Sequence, residues 1–170
     1  MINFKAPALL FAALLLLSSC GEGTKKEEKE TMTIGTAPAA KKTDDKKVNV
    51  PLTGNDLMQF NKKEIRVRAG QEVTLTLTHV GKQELLVMGH NFVLLKPDTD
   101  INAFAQEAAA VGKDGDWIPN DGENVIAHTK MIGGGQSTSV TFTAPAPGSY
   151  DFICSFSGHA ALMQGKFIVE

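Results

Sequence analysis

The chain has 170 residues but only two cysteines, Cys20 and Cys154, in unlike surroundings. Two thiols cannot build the multi-disulfide framework of a small secreted scaffold. The apolar run at residues 8–17 is too short to cross a bilayer as a helix. Basic clusters are missing as well. From residue 48 onward there are nine Lys and Arg against thirteen Asp and Glu, a net charge of −4, so nucleic acid is not an expected partner. What is present is ordinary for a soluble protein, 42% hydrophobic and 21% charged. The length points to one domain with an extension.

The extension is N-terminal. Lys5, the apolar run and the tetrapeptide LSSC at 17–20 have the order of an export signal. Small residues ending in cysteine resemble the bacterial lipobox. That resemblance implies a lipoprotein signal peptide at 1–19 and lipidation at Cys20; a plain secretory signal with an incidental cysteine is the other reading. Each acyl chain would contribute about 0.8 kcal/mol per buried methylene, so several chains make a firm anchor. Residues 20–47 then read as a polar tether, with seven lysines and six acids between 21 and 47 and almost no large apolar side chain. Such a segment buries too little surface to offset its chain entropy. As a coil of that length it would average roughly 26–31 Å end to end.

The domain expected at 48–170 is mostly β. VTLTLT at 73–78 alternates strictly between apolar and hydroxyl residues, the period of a half-buried strand. EIRVR at 64–68 and SVTFT at 139–143 alternate likewise, and SYDFIC and KFIVE are β-rich. Turn signals at Gly70, Gly81, Gly133 to Gly135 and Pro145 to Gly148 separate them. The expected fold is an all-β Greek-key sandwich. One helix is expected near 100–111, where Ile101, Phe104, Ala105, Ala108 and Val111 fall at helical spacing behind an N-cap at Asp100, with a stop at Gly112. Packing on the sandwich would run through Ile101 and Phe104.

The chemistry concentrates near the C-terminus. CSFSGHAALM at 154–163 sets Cys154, His159 and Met163 at C-x4-H-x3-M spacing. MGHN at 88–91 adds His90, placed among apparent strand residues. Any one of these is more often a buried thiol, a core histidine or core filler. Together, two imidazoles, a thiolate and a thioether are softer than the donors magnesium or calcium take. A His2Cys set with a weak axial methionine is the blue-copper electron-transfer pattern.

TGNDLMQFN, VMGHNFVL, VIAHTKMIGGG and CSFSGHAALMQGKF together resemble the azurins, which are small cupredoxins, over nearly the whole domain. The resemblance implies one copper ion with His90, Cys154 and His159 as equatorial ligands. It implies Met163 as the weak axial ligand and the Gly89 carbonyl on the opposite side. Asn91, Ser155 and Phe156 would surround the ligands, with Asn91 bracing the ligand loop and the Asn91 and Phe156 N–H groups aimed at the sulfur. The electron port would be His159, inside a docking patch of Met58, Val87, Met88, Phe156, Ala161 and Leu162. A c-type cytochrome or a terminal reductase would be the partner of a monomeric domain facing the periplasm. Two departures are visible. Azurins carry a disulfide near the start of the domain, and Gly70 stands at one of its positions. Ser157 stands where many azurins have proline, and its additional N–H near the thiolate would raise the potential. His79 and His128 match non-ligand histidines, expected to be partly buried and exposed, respectively. Trp117 and Phe92 read as packing.

The function expected is that of a one-electron carrier cycling Cu(I) and Cu(II), and not of an enzyme, because protein donors fill every equatorial position. A copper-delivery protein would need labile, exposed ligands. A binding module that had abandoned redox chemistry would have no use for an intact donor set.

Overall fold

The computed structural model describes residues 45–170. The expected signal peptide at 1–19, Cys20 and residues 21–44 of the expected tether lie outside the described residues. The chain forms a Greek-key β-sandwich of two sheets. Its strands are β1 (Lys47–Asn55), β2 (Gln59–Phe60), β3 (Glu64–Val67), β4 (Glu72–His79), β5 (Val93–Leu95), β6 (Val125–His128), β7 (Ser137–Thr143), β8 (Gly148–Ile153) and β9 (Gln164–Val169). One sheet has the order β2-β1-β4-β7, the other β3-β9-β8-β5-β6. Most neighbours are antiparallel, but β1 with β4 and β3 with β9 run parallel.

The alternation in β4 decides which side faces in. Val73, Leu75 and Leu77 are fully buried, and each contributes about 1.5–3 kcal/mol of transfer free energy. The threonines between them face out and meet the hydroxyls of β7, with Thr74–Thr141, Thr76–Ser139 and Thr78–Ser137 contacts of 2.8–3.0 Å. Phe60, Phe92, Phe152 and Phe167 fill the space between the sheets.

Among the described residues two α-helices lie outside the sheets: α1 (Leu85–Met88) and α2 (Ile101–Val111). The second is the expected helix. The Asp100 carboxylate accepts from the N–H groups of Asn102 and Ala103, and Gly112 ends the helix at φ +59°, where an L side chain would be strained. Phe104 and Ala108 bury this helix against Val93, Leu95, Trp117 and Ile153, while Ile101 packs at the margin and Val111 is left exposed. The first helix is a departure from the sequence expectation of strand around His90. It is a single turn just ahead of His90, so His90 does not sit in a run of strand. It makes an isolated bridge to Ile132, with both N–H···O distances 2.9 Å.

Candidate metal centre

Cys154 follows β8 directly, and its thiol is fully buried. The loop after it is folded by its own backbone. His159 N–H donates to Phe156 O at 2.9 Å, and Leu162 and Met163 N–H both return to His159 O at 3.0 and 2.8 Å. These bonds turn the His159 ring toward the sulfur, leaving Nδ1 3.7 Å from Sγ. On the other side Nδ1 of His90 lies 4.0 Å from Sγ and the Gly89 carbonyl 3.7 Å. The donor atoms of His90, Cys154 and His159 all fall within 4.8 Å of one another. An ion about 2.3 Å from sulfur and about 2.0 Å from nitrogen in a trigonal arrangement would set sulfur and nitrogen about 3.7 Å apart. The three side chains are therefore spaced to share one ion.

The surroundings fix each donor. Nε2 of His90 donates to Asn55 O at 2.9 Å, which puts the proton on Nε2 and leaves Nδ1 its lone pair. Asn55 can do this because its own side chain accepts from Leu57 and Gln59 N–H, closing the turn after β1. The His79 ring stacks on His90 at 4.2 Å and 16°. His79 is fully buried, not partly so as expected, because both its nitrogens have partners: Nε2 donates to Met88 O and Nδ1 accepts from Gly81 N–H. Backbone partners thus occupy both ring nitrogens of His79, and His128 is exposed as the sequence suggests. Asn91 joins the two limbs of the site, donating to Ser155 Oγ at 2.8 Å and accepting from Ser155 N–H at 2.9 Å.

Close approach makes two glycines necessary. A Cβ at Gly89 would come within 2.6 Å of Leu85 O and 2.8 Å of the Phe156 ring. One at Gly54 would lie 2.7 Å from Cδ2 of His90 and 3.3 Å from the Met163 methyl, so the thioether end lies beside the His90 ring. Met163 itself is fully buried. Trp117 packs tilted against Phe156, which in turn packs on His159 at 4.7 Å.

Burial pushes the Cys154 thiol up to about 12, partly offset by the Asn91 and Phe156 N–H groups. Ser157 adds no third donor. It sits one residue before Gly158 (φ +81°) in the turn closed by His159 N–H and Phe156 O, and among the described residues the backbone groups bonded to the thiol are those of Asn91 and Phe156. Burial also lowers His159 to about 4 and lowers His90. Both imidazoles are thus neutral and ready to donate at neutral pH. A metal ion must displace the thiol proton as it binds.

One donor reaches the surface. His159 is 3% exposed. Its Nε2 has no hydrogen-bond partner among the described residues, and no fully buried nitrogen there lacks one, so Nε2 touches solvent. Of the predicted patch, Val87, Ala161 and Leu162 are exposed and Met58, Met88 and Phe156 are half-buried. Leu57 and Leu86, which the sequence reading omits, are more exposed still at 70% and 61%. Leu57, Met58 and Leu162 line a common groove.

A two-sheet sandwich that closes one thiol and two imidazoles around a point, with a buried thioether alongside, is a blue-copper electron carrier. The profile described as "Copper binding proteins, plastocyanin/azurin family" matches residues 46–170. The chain belongs to that family, and its cofactor is a single copper ion. It is 46% identical to Azurin-1 of Alcaligenes xylosoxydans xylosoxydans over 121 residues, 69% of this chain and 93% of that protein. It is 45% identical to Outer membrane protein H.8 of Neisseria gonorrhoeae over 115 residues, 66% of this chain and 62% of that longer protein. Among solved structures, auracyanin A, a "blue" copper protein of Chloroflexus aurantiacus, superposes with a TM-score of 0.67 at 32% identity, covering 73% of this chain and 99% of auracyanin A.

Proposed function

We propose that the protein is an envelope-anchored electron shuttle in which His90, Cys154 and His159 hold copper equatorially, with Met163 and the Gly89 carbonyl on the two axial sides. The observation that carries this reading is the sealed Cys154 thiol with two imidazole Nδ1 atoms at 3.7 and 4.0 Å. Bound copper supplies one-electron exchange between Cu(II) and Cu(I). The chain supplies the rest. Asn55 holds the His90 tautomer. Asn91 ties the two ligand-bearing segments together. The Asn91 and Phe156 N–H groups hydrogen-bond to the sulfur and temper its charge. A pocket this constrained keeps its donors in place when the charge changes.

The electron leaves through the solvent-touching edge of His159. The apolar residues Met58, Val87, Met88, Phe156, Ala161 and Leu162 form the docking patch, extended by Leu57 and Leu86. An apolar face of modest size suits brief encounters with a redox protein such as a c-type cytochrome or a terminal reductase. Protein donors leave no equatorial position for a substrate, so we assign no catalytic reaction. Lipidation of Cys20, with residues 1–19 removed, would hold the domain at the bacterial envelope. The similarity to Outer membrane protein H.8 supports that location.

The test is the visible spectrum after addition of Cu(II), with Cys154→Ser beside it. An intense blue band that bleaches reversibly with reductant and is absent from the serine protein is expected. Weak absorption identical in both proteins would refute the assignment.

A further inference from the structure

We propose that Lys63 is a positioning residue for the copper site: its ammonium bridges the carbonyls that flank Met163 and fixes the segment carrying that side chain. The inference rests on the reading of Met163 as the axial donor. Nζ donates to Leu162 O at 2.7 Å and to Gln164 O at 3.3 Å. Between them, Met163 O faces the other way and accepts from Cys154 N–H at 2.8 Å. Leu162 closes the turn on His159 O and Met163 lies at the bend before β9, so these hydrogen bonds themselves hold the three carbonyls in place. Met163 is therefore gripped from both edges of its own backbone.

A thioether needs such a grip more than an imidazole does. His90 is fixed at its far nitrogen by Asn55 O, whereas a methionine side chain has three rotatable bonds and only a weak acceptor. The placement of Met163 must come from packing and from its backbone.

The base of the lysine is itself rigid. Lys63 O accepts from Lys166 N–H at 2.9 Å, continuing the parallel β3–β9 ladder by one step. Two residues earlier, Asn61 is tied to Thr53 through its N–H and its side chain. Gly165 permits the close approach, since a Cβ there would lie 2.6 Å from Lys63 O. Where β3 no longer supplies backbone donors, the ammonium takes over the edge carbonyls at the start of β9.

The experiment compares Lys63→Met, which keeps the stem and removes the donors, with Lys63→Arg, which keeps a cationic donor. In the metal-free protein, amide exchange at Cys154, whose N–H is held by Met163 O, is expected to speed up about tenfold in Lys63→Met, the equivalent of one charge-assisted hydrogen bond. Exchange at Leu75 in β4 should not change. After addition of Cu(II), the same variant should alter the visible bands and lower the reduction potential, and Lys63→Arg should restore both. Wild-type exchange in Lys63→Met overturns the proposal. So does faster exchange with unchanged bands and potential, or an arginine protein that behaves as the methionine one. Met163→Leu is measured in parallel: unchanged bands there would refute the axial reading of Met163, while the exchange data still decide whether the clamp exists.

Discussion

Replacing Gly54 by alanine tests the geometry of the site through one added methyl. The position is buried in β1, its φ lies outside the left-handed region, and alanine can take up its backbone. Any effect must then come from the contact itself. The new carbon would lie 2.7 Å from Cδ2 of His90, about 0.8 Å inside the ~3.5 Å at which carbon atoms rest. The imidazole has little room to give, because it stacks on His79 at 4.2 Å and is tied to Asn55 O at 2.9 Å. Overpacking of this kind costs about 1–3 kcal/mol. For a domain of this size that corresponds to a fall of about 4–12 °C in the melting temperature of the metal-free protein. The displacement also exceeds the roughly 0.2 Å within which metal–ligand distances are held. The added stability conferred by Cu(II) should shrink, and the blue band should shift or weaken. Calorimetry with and without copper, together with the visible spectrum, measures both. A Gly54→Ala protein with the parent melting temperature and the parent band would show that the ring is not confined as described.

The remaining predictions concern the loop and its titration. Asn91→Ala removes both contacts to Ser155 and strands a buried N–H, which should cost about 1–3 kcal/mol in urea unfolding; a loss under half a kcal/mol would mean the two limbs are joined by something else. Ser157→Pro places proline ahead of the positive-φ Gly158 in the turn. It should stabilise by about 0.4–1 kcal/mol and leave the reduction potential unchanged, and a marked fall in potential would restore a role for the Ser157 N–H. His159 is held near 4 in the folded state against an ordinary value of 6.5, so between those values the unfolded chain binds the proton first. Its contribution is intact above pH 6.5 and is lost as pH falls toward 4. The metal-free protein should therefore lose stability over that window faster than His159→Asn, and parallel curves would contradict the assignment.

The parts of the molecule written in local pattern were legible from sequence. β4 shows itself by strict alternation, and α2 by helical spacing between Asp100 and Gly112. The C-x4-H-x3-M loop contains three of the four side chains in one turn-rich stretch. What was not legible depends on contacts between distant segments. β1 was hidden because it contains Pro51 and Gly54 and pairs in parallel with β4. The support for His90 comes from a backbone carbonyl, which any residue could supply, 35 positions away. The turn at α1 lies in ELLVM, whose apolar run carries no period long enough to separate helix from strand. Burial of His79 follows from two backbone partners that no side-chain pattern announces.

The course of β1 has a practical consequence. It runs from Lys47 to Asn55 without interruption, a span of about 26 Å, and its last residue touches the metal site. Lys47, where β1 begins, therefore lies at the far end of that strand from the residue that holds His90. A domain attached to a surface directly at Lys47 would hold its point of attachment a full strand length from Asn55. Tension applied at Lys47 would load the parallel β1–β4 ladder in shear before it reached the ligands. For wiring this domain to an electrode through a spacer, the chain already supplies the right end.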